Sequence, residues 1–310
     1  MPGDGISAAS LPDRETLKLL AQRSNWSATV RVVSHFGSVL AMGAIISWVI
    51  FASGIFWALP LILMQGWLVG FLFMPLHETA HKTAFRHQKA NLVVGNICAV
   101  AVVLPYEYYT LFHWAHHRHT QDPKHDPELA AGLPAPASVS GLAIWFLGVR
   151  QLIGRFKLIA RHAMTGRVTA PWVPAGKRDL VVVEARLILA VYGVTLIGSI
   201  LLGTAVLFWT WLLPLIIGQT FLRPYLLAEH SGCGNGRDAF ANTRTTFTAS
   251  FVRWFTWNMP YHTEHHAYPN IPFHALPRLH DAVQGRLEHR GAGYITVTRH
   301  VWHWFRQRQA

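Results

Sequence analysis

Four stretches of this 310-residue chain carry no charged side chain and approach the length of a bilayer crossing: residues 36–51, 55–74, 187–202 and 205–222. About 20 apolar residues in helical form cover the hydrocarbon layer. A segment in hydrocarbon must also satisfy its own backbone hydrogen bonds, which makes helices the expected elements. Ala52-Ser53-Gly54 joins the first two runs and Gly203-Thr204 the second two, so each pair reads as a helical hairpin with an uncharged tip. The expected fold is an all-α integral membrane protein, with four transmembrane helices forming two hairpins. Pro60 is a place for a kink in the second helix.

Hydrophobic residues make up 51% of the chain and charged ones 14%, which is more apolar and less charged than an ordinary soluble domain. The formal charge of +12 does not point to nucleic acid, because the Lys and Arg border the apolar runs, as expected facing an anionic leaflet. They lie in an N-terminal segment (1–35), in a loop between the hairpins (75–186) and in a C-terminal region (223–310), flanking or interrupting the hairpin part (36–222). The positive-inside rule puts all three on the cytoplasmic side, with both termini. Within them, residues 15–22 read as a short helix, and 91–104 as a re-entrant or interfacial segment too short to span. Residues 142–149, followed by Arg150, Arg155, Lys157 and Arg161, read as helices lying in the interface, and 169–177 as a connector. No secretory signal is visible, and Cys98 and Cys233 fit no disulfide or zinc pattern, so they read as free thiols in a reducing compartment. The expected location is a bacterial inner membrane.

The chemistry is carried by histidines. His113, His116 and His117 lie at i, i+3 and i+4, the same spacing returns as His262, His265 and His266, and His77 and His81 form an i, i+4 pair. On a helix such residues share a face. Protonated imidazoles packed together would repel, so the face needs neutral rings, and a bound cation keeps them neutral. Eight ligands exceed the four of a tetrahedral ion, which implies two metals. The hairpin topology brings the clusters to one side, with His230 at the same membrane edge as a ninth ligand. His274, His280, His289, His300 and His303 are read as surface or structural. Each ligand is expected to donate its second ring N–H outward. Glu78, Glu107, Asp122, Asp126, Glu229 and Glu264 are the candidate partners.

The three boxes, with Asp126-Pro127-Glu128 and the Asn258-Met259-Pro260-Tyr261 run before the last of them, resemble the membrane fatty acid desaturase family. That resemblance implies a di-iron enzyme of four transmembrane helices under a cytoplasmic catalytic cap. It implies dioxygen as co-substrate, electrons from a ferredoxin, rubredoxin or cytochrome b5 type donor, and removal of two hydrogens from an acyl chain. By similarity the eight box histidines and His230 hold the irons. Leu226 stands where acyl-CoA desaturases have an asparagine that holds a water on one iron. Attack on an unactivated C–H bond agrees with a redox metal rather than zinc. No haem or ferredoxin domain fits in the remaining chain, so the donor is expected to be a separate protein.

Related lipid hydroxylases and carotenoid ketolases share the spacing, and placement of the substrate to within about an ångström decides between outcomes. His77-Glu78-Thr79-Ala80-His81 also reads as the H-E-x-x-H of a zinc metalloprotease, which leaves six clustered histidines unexplained. A metal or haem carrier is the non-enzymatic alternative.

Overall fold

The computed structural model describes residues 11–131 and 138–307, so the first ten residues of the expected N-terminal segment lie outside the described residues. The chain is mostly helical, and four of its helices are long and apolar enough to cross a membrane.

Helix α1 (Arg14–Leu20) starts on Asp13, whose carboxylate accepts from the Thr16 amide, and leads to α2 (Asn25–Ser53), capped by Ser24 on the Ser27 amide. Gly54, at φ 90°, turns the chain into α3 (Ile55–Gly70) and then α4 (Phe73–Ala80). The helix runs on through Pro60, and a turn at Phe71-Leu72 separates α3 from α4. Next come α5 (Gln88–Ala101) and α6 (Tyr106–His119), bent by 99° at their junction. This is the shape of a broken span or re-entrant loop, in line with the short apolar segment read there. Around the central loop lie α7 (Pro127–Ala131), α8 (Val139–Leu147) and α9 (Val149–Thr165). Helix α8 buries no residue, and α9 buries Leu152, Ile159 and His162 along one face.

Helix α10 (Arg178–Leu201) and the π-turn Phe208–Leu212 with α11 (Leu213–His230) complete the long elements. The remainder is short: α12 (Ala239–Asn242), α13 (Ser250–Phe255), α14 (His262–Ala267), α15 (Leu276–Val283) and α16 (Tyr294–Gln307). Strands β1 (Arg244–Thr246) and β2 (His289–Gly291) pair in parallel, Arg244 opposite His289.

Large apolar side chains face outward along these spans, Phe51 at 92% exposure and Leu201 at 80% among them. On a soluble protein such a surface would be a liability, and against lipid it is the expected finish. Two spans begin well upstream of the uncharged runs, since α2 carries Arg31 and α10 carries Glu184 and Arg186. Arg31 is buried under the Trp254 ring, 4.0 Å from its centroid, and donates to the Trp254 carbonyl.

The principal partner of α11 is α3. Their backbones touch at Gly66, Gly70 and Gly218. A Cβ on Gly218 would lie 2.5 Å from the Gly66 carbonyl oxygen, and one on Gly70 would lie 2.8 Å from that of Gly218. Small residues four apart permit this approach between helices in a membrane. The last residue of α11, His230, sits beside His116 of α6 and His262 of α14. Gly218→Val costs about 1–3 kcal/mol of stability through overpacking at the glycine contact. Thermal melting in detergent checks this against Gly193→Ala, whose added methyl meets nothing within 4 Å. Equal melting of the two variants would show that the helices do not need the contact.

Candidate metal centre

Four helix ends bring the histidines together. His77 lies on α4 and His81 just past its end, His113, His116 and His117 on α6, His230 at the last residue of α11, and His262, His265 and His266 on α14. Seven of them are buried, and His117 and His266 are partly so.

The rings sort into two groups that cut across the sequence boxes. His77, His81, His113, His117 and His265 offer nitrogens within 4.8 Å of one another, and so do His116, His230 and His266. His262 joins the second group, its Nε2 3.1 Å from the His230 Nε2. Helical geometry explains the division. The i, i+4 pairs His77/His81 and His113/His117 serve the first group and His262/His266 the second. The i+3 member of each triad, His116 or His265, is rotated toward the other group. The groups adjoin, with the His117 and His266 rings stacked at 4.0 Å.

Within the groups like atoms face each other. The Nε2–Nε2 distances are 2.7 Å for His81–His113, 2.9 Å for His77–His265, 3.0 Å for His117–His113 and 3.2 Å for His116–His230. The His266 Nε2 is buried without a partner, and no carboxylate belongs to either group. Nine convergent, mostly buried nitrogens of this kind fit a borderline metal that prefers imidazole. Burial holds the rings neutral: it drives His81 and His266 well below the usual histidine value, with neighbouring imidazoles adding to the effect, and takes His265 to about 3. For His116, burial pulls down, but Glu128 and the Asp126 hydrogen bond outweigh it and raise the ring above its usual value.

Outer partners fix the second group more than the first. His116 Nδ1 lies 2.9 Å from Asp126 Oδ1 and 3.2 Å from Glu128 Oε2. His230 Nδ1 faces the Asn242 carbonyl at 3.2 Å, and His266 Nδ1 faces the Thr120 hydroxyl at 3.2 Å. Such contacts orient a ring and select its tautomer. The Nδ1 atoms of His81, His117 and His265 have no such partner. Glu229 Oε1 stands 3.4 Å from His262 Nδ1 without hydrogen-bond alignment.

The other acids read from the sequence have different partners. Glu78 Oε1 accepts from the Thr83 hydroxyl and the Phe273 amide, and the residue belongs to neither imidazole group. In an H-E-x-x-H protease that carboxylate would have to face the metal. Glu264 holds Thr245 and His280, fastening α14 to β1 and α15. Glu107 pairs with Lys177 at 2.9 Å, and Asp122 with His125 at 2.9 Å. Leu226 packs against the main core. Just before α14, Trp257 and Asn258 both adopt left-handed φ, 53° and 58°. The Asn258 amide donating to the Phe273 carbonyl and the burial of Trp257 hold this costly turn in place.

One supporting residue carries no sequence signal. Helix α6 begins on Pro105, which offers no side-chain cap. Glu184, from α10, supplies the missing acceptor, its carboxylate taking the Glu107 amide at 2.9 Å and the Tyr108 amide at 3.5 Å. A negative group at a helix start also suits the helix dipole. Tyr106, donating to the Thr79 carbonyl at 2.7 Å, and Trp114, donating to the Ala80 carbonyl at 3.3 Å, then tie α6 to α4. Glu184→Ala is expected to cost about 1–2 kcal/mol, with Glu184→Gln recovering part of it, measured by denaturation in detergent. An alanine variant as stable as the parent would remove the capping role.

Residues 54–298 match the sequence profile of the family described as fatty acid desaturase. Among curated proteins, the chain is similar to a beta-carotene ketolase of Haematococcus lacustris, 25% identical over 66% of this chain and 57% of that one. It is similar to a zeaxanthin 4-ketolase of Chlamydomonas reinhardtii, 25% identical over 69% of this chain and 42% of that one. It is also similar to a sphingolipid delta(4)-desaturase of Drosophila melanogaster, 24% identical over 67% of this chain and 60% of that one. The chain thus spans about half the length of the curated relatives it matches. With the profile covering most of the chain and both histidine triads lying inside it, the chain belongs to the fatty acid desaturase family.

Proposed function

We propose that the protein is an oxygen-dependent di-iron enzyme that oxidises a membrane lipid, with acyl-chain desaturation as its reaction. The observation that carries this reading is the division of nine imidazoles into groups of five and four beside apolar spans. His77, His81, His113, His117 and His265 hold one iron, and His116, His230, His262 and His266 the other. Iron at these positions supplies the dioxygen activation needed to take hydrogen from an unactivated C–H bond.

The chain's own residues set the conditions for that chemistry. Asp126 accepts the Nδ1 proton of His116, leaving Nε2 free to bind, and the Asn242 carbonyl does the same for His230. Burial keeps rings such as His81, His265 and His266 unprotonated, so these ligands do not have to lose protons before binding metal, whereas His116, raised by its carboxylate neighbours, does. The positive flanks face the cytoplasm, where a separate electron-donor protein of ferredoxin, rubredoxin or cytochrome b5 type docks, and an acyl lipid reaches the centre from the bilayer.

A second reading, carotenoid ketolation, is favoured by the ketolases among the relatives. Product mass separates the reactions. Lipid mass spectrometry of cells with and without the chain is expected to show acyl chains two hydrogens lighter. A carotenoid with one more oxygen and two fewer hydrogens would transfer the assignment to ketolation, and addition of oxygen alone to hydroxylation. His265→Ala and His116→Ala are each expected to lower iron below two per chain and abolish product while the protein still inserts. A fully active, iron-replete His265→Ala variant would remove that ligand from the account.

A further inference from the structure

A cavity of about 510 Å³ lies at the start of α2, apart from the imidazoles. Arg23, Ser24 and Asn25 line it from that end, Arg86 from the turn that follows His81, and His274 and Arg278 from α15 and the turn before it. Three guanidinium groups thus border one space, and no carboxylate lines it. Among the described residues none of the three takes part in an ion pair. The buried Glu78 feels the Arg23 charge only at a distance and directs Oε1 to the Thr83 hydroxyl and the Phe273 amide. The His274 Nε2 is buried without a hydrogen-bond partner.

The wall is fastened. Asn25 Oδ1 accepts from the Arg86 amide at 2.8 Å and from the His87 amide at 3.3 Å, fixing the Arg86 turn to the first residue of α2. The Ser24 hydroxyl is held by its capping contact with the Ser27 amide. Leu19, in the lining, is 62% exposed, and Trp26, the residue after Asn25 on α2, 77% exposed. An exposed tryptophan at the end of a membrane helix, next to arginine, marks headgroup depth. Guanidinium forks match phosphate oxygens in pairs, and a space of this size holds more than a bare anion.

We infer that this cavity binds a phosphate ester, with Arg23, Arg86 and Arg278 as its ligands and a glycerophosphate headgroup of an anionic membrane lipid as its source. The inference is independent of the redox reading, because none of these residues belongs to the histidine groups. A soluble phosphate ester offers the same group and is the other source. The site would hold the N-terminal end of α2 and the turn after His81 against the bilayer surface.

The test uses the full chain in detergent, equilibrated with mixed micelles of phosphatidylcholine and phosphatidylglycerol, with bound lipid counted by native mass spectrometry. Glycerol 3-phosphate without lipid forms a second arm. The parent is expected to retain phosphatidylglycerol in preference to phosphatidylcholine, and R86Q/R278Q to lose roughly 30-fold in that affinity. R299Q/R306Q, which removes the same charge from exposed positions on α16, is expected to behave as the parent. Binding of glycerol 3-phosphate as tight as that of the lipid, and equally lost in R86Q/R278Q, would keep the phosphate site and make its source soluble. Unchanged retention of both probes by R86Q/R278Q would overturn the site and leave the arginines to an acidic protein surface. An equal loss in R299Q/R306Q would overturn it in favour of net charge.

Discussion

Imidazole nitrogens facing one another at 2.7–3.2 Å, with no carboxylate among them, are stable together only while the rings are neutral, and a cation between them would satisfy their facing lone pairs. The rest of the protein can be understood from that requirement. Burial keeps rings such as His81, His265 and His266 unprotonated, and four helix ends deliver the nine from positions up to 189 residues apart, His77 to His266. Each delivery has its own fastening: glycine contacts between α3 and α11, a carboxylate cap on α6, and the Glu264 link to Thr245 and His280 behind α14. A metal bound there would offset what it costs to gather these groups and would couple occupancy to fold.

The two groups are not equivalent in their surroundings. His116, His230 and His266 each have a polar partner on the outer nitrogen, whereas the outer nitrogens of His81, His117 and His265 have none. A carboxylate behind His116 raises the electron density of that ligand, and the first group lacks any such push among these three rings. Metal ions bound to the two groups would meet ligands of different number and basicity, an asymmetry built by the chain itself.

Much of this was legible in the sequence, for reasons that are local. Absence of charge over bilayer-length runs is a property of consecutive residues, and so is the i, i+3, i+4 spacing of imidazoles. What escaped depends on how distant elements meet. No spacing rule says that His116 leaves its neighbours His113 and His117 to join His230, because that follows from where α11 crosses. Glu184 caps α6 from another helix, and nothing near Pro105 announces it. Charge also misplaced two helix starts: a scan for uncharged residues stops at Arg31 or Arg186, whereas the helices continue because Arg31 is satisfied by an aromatic face and a carbonyl, and Arg186 by the Ala163 carbonyl. Of the acids expected behind the ligands, Glu107 and Asp122 are close in sequence to the boxes but are drawn to Lys177 and His125.

On the proposed reading, one chain would hold two irons in different imidazole environments. Mössbauer spectroscopy of protein loaded with iron-57 tests it directly. Two quadrupole doublets of equal area and about two irons per chain are expected, from a five-histidine and a four-histidine site. A single iron environment, or one metal per chain with the second histidine group empty, would contradict it.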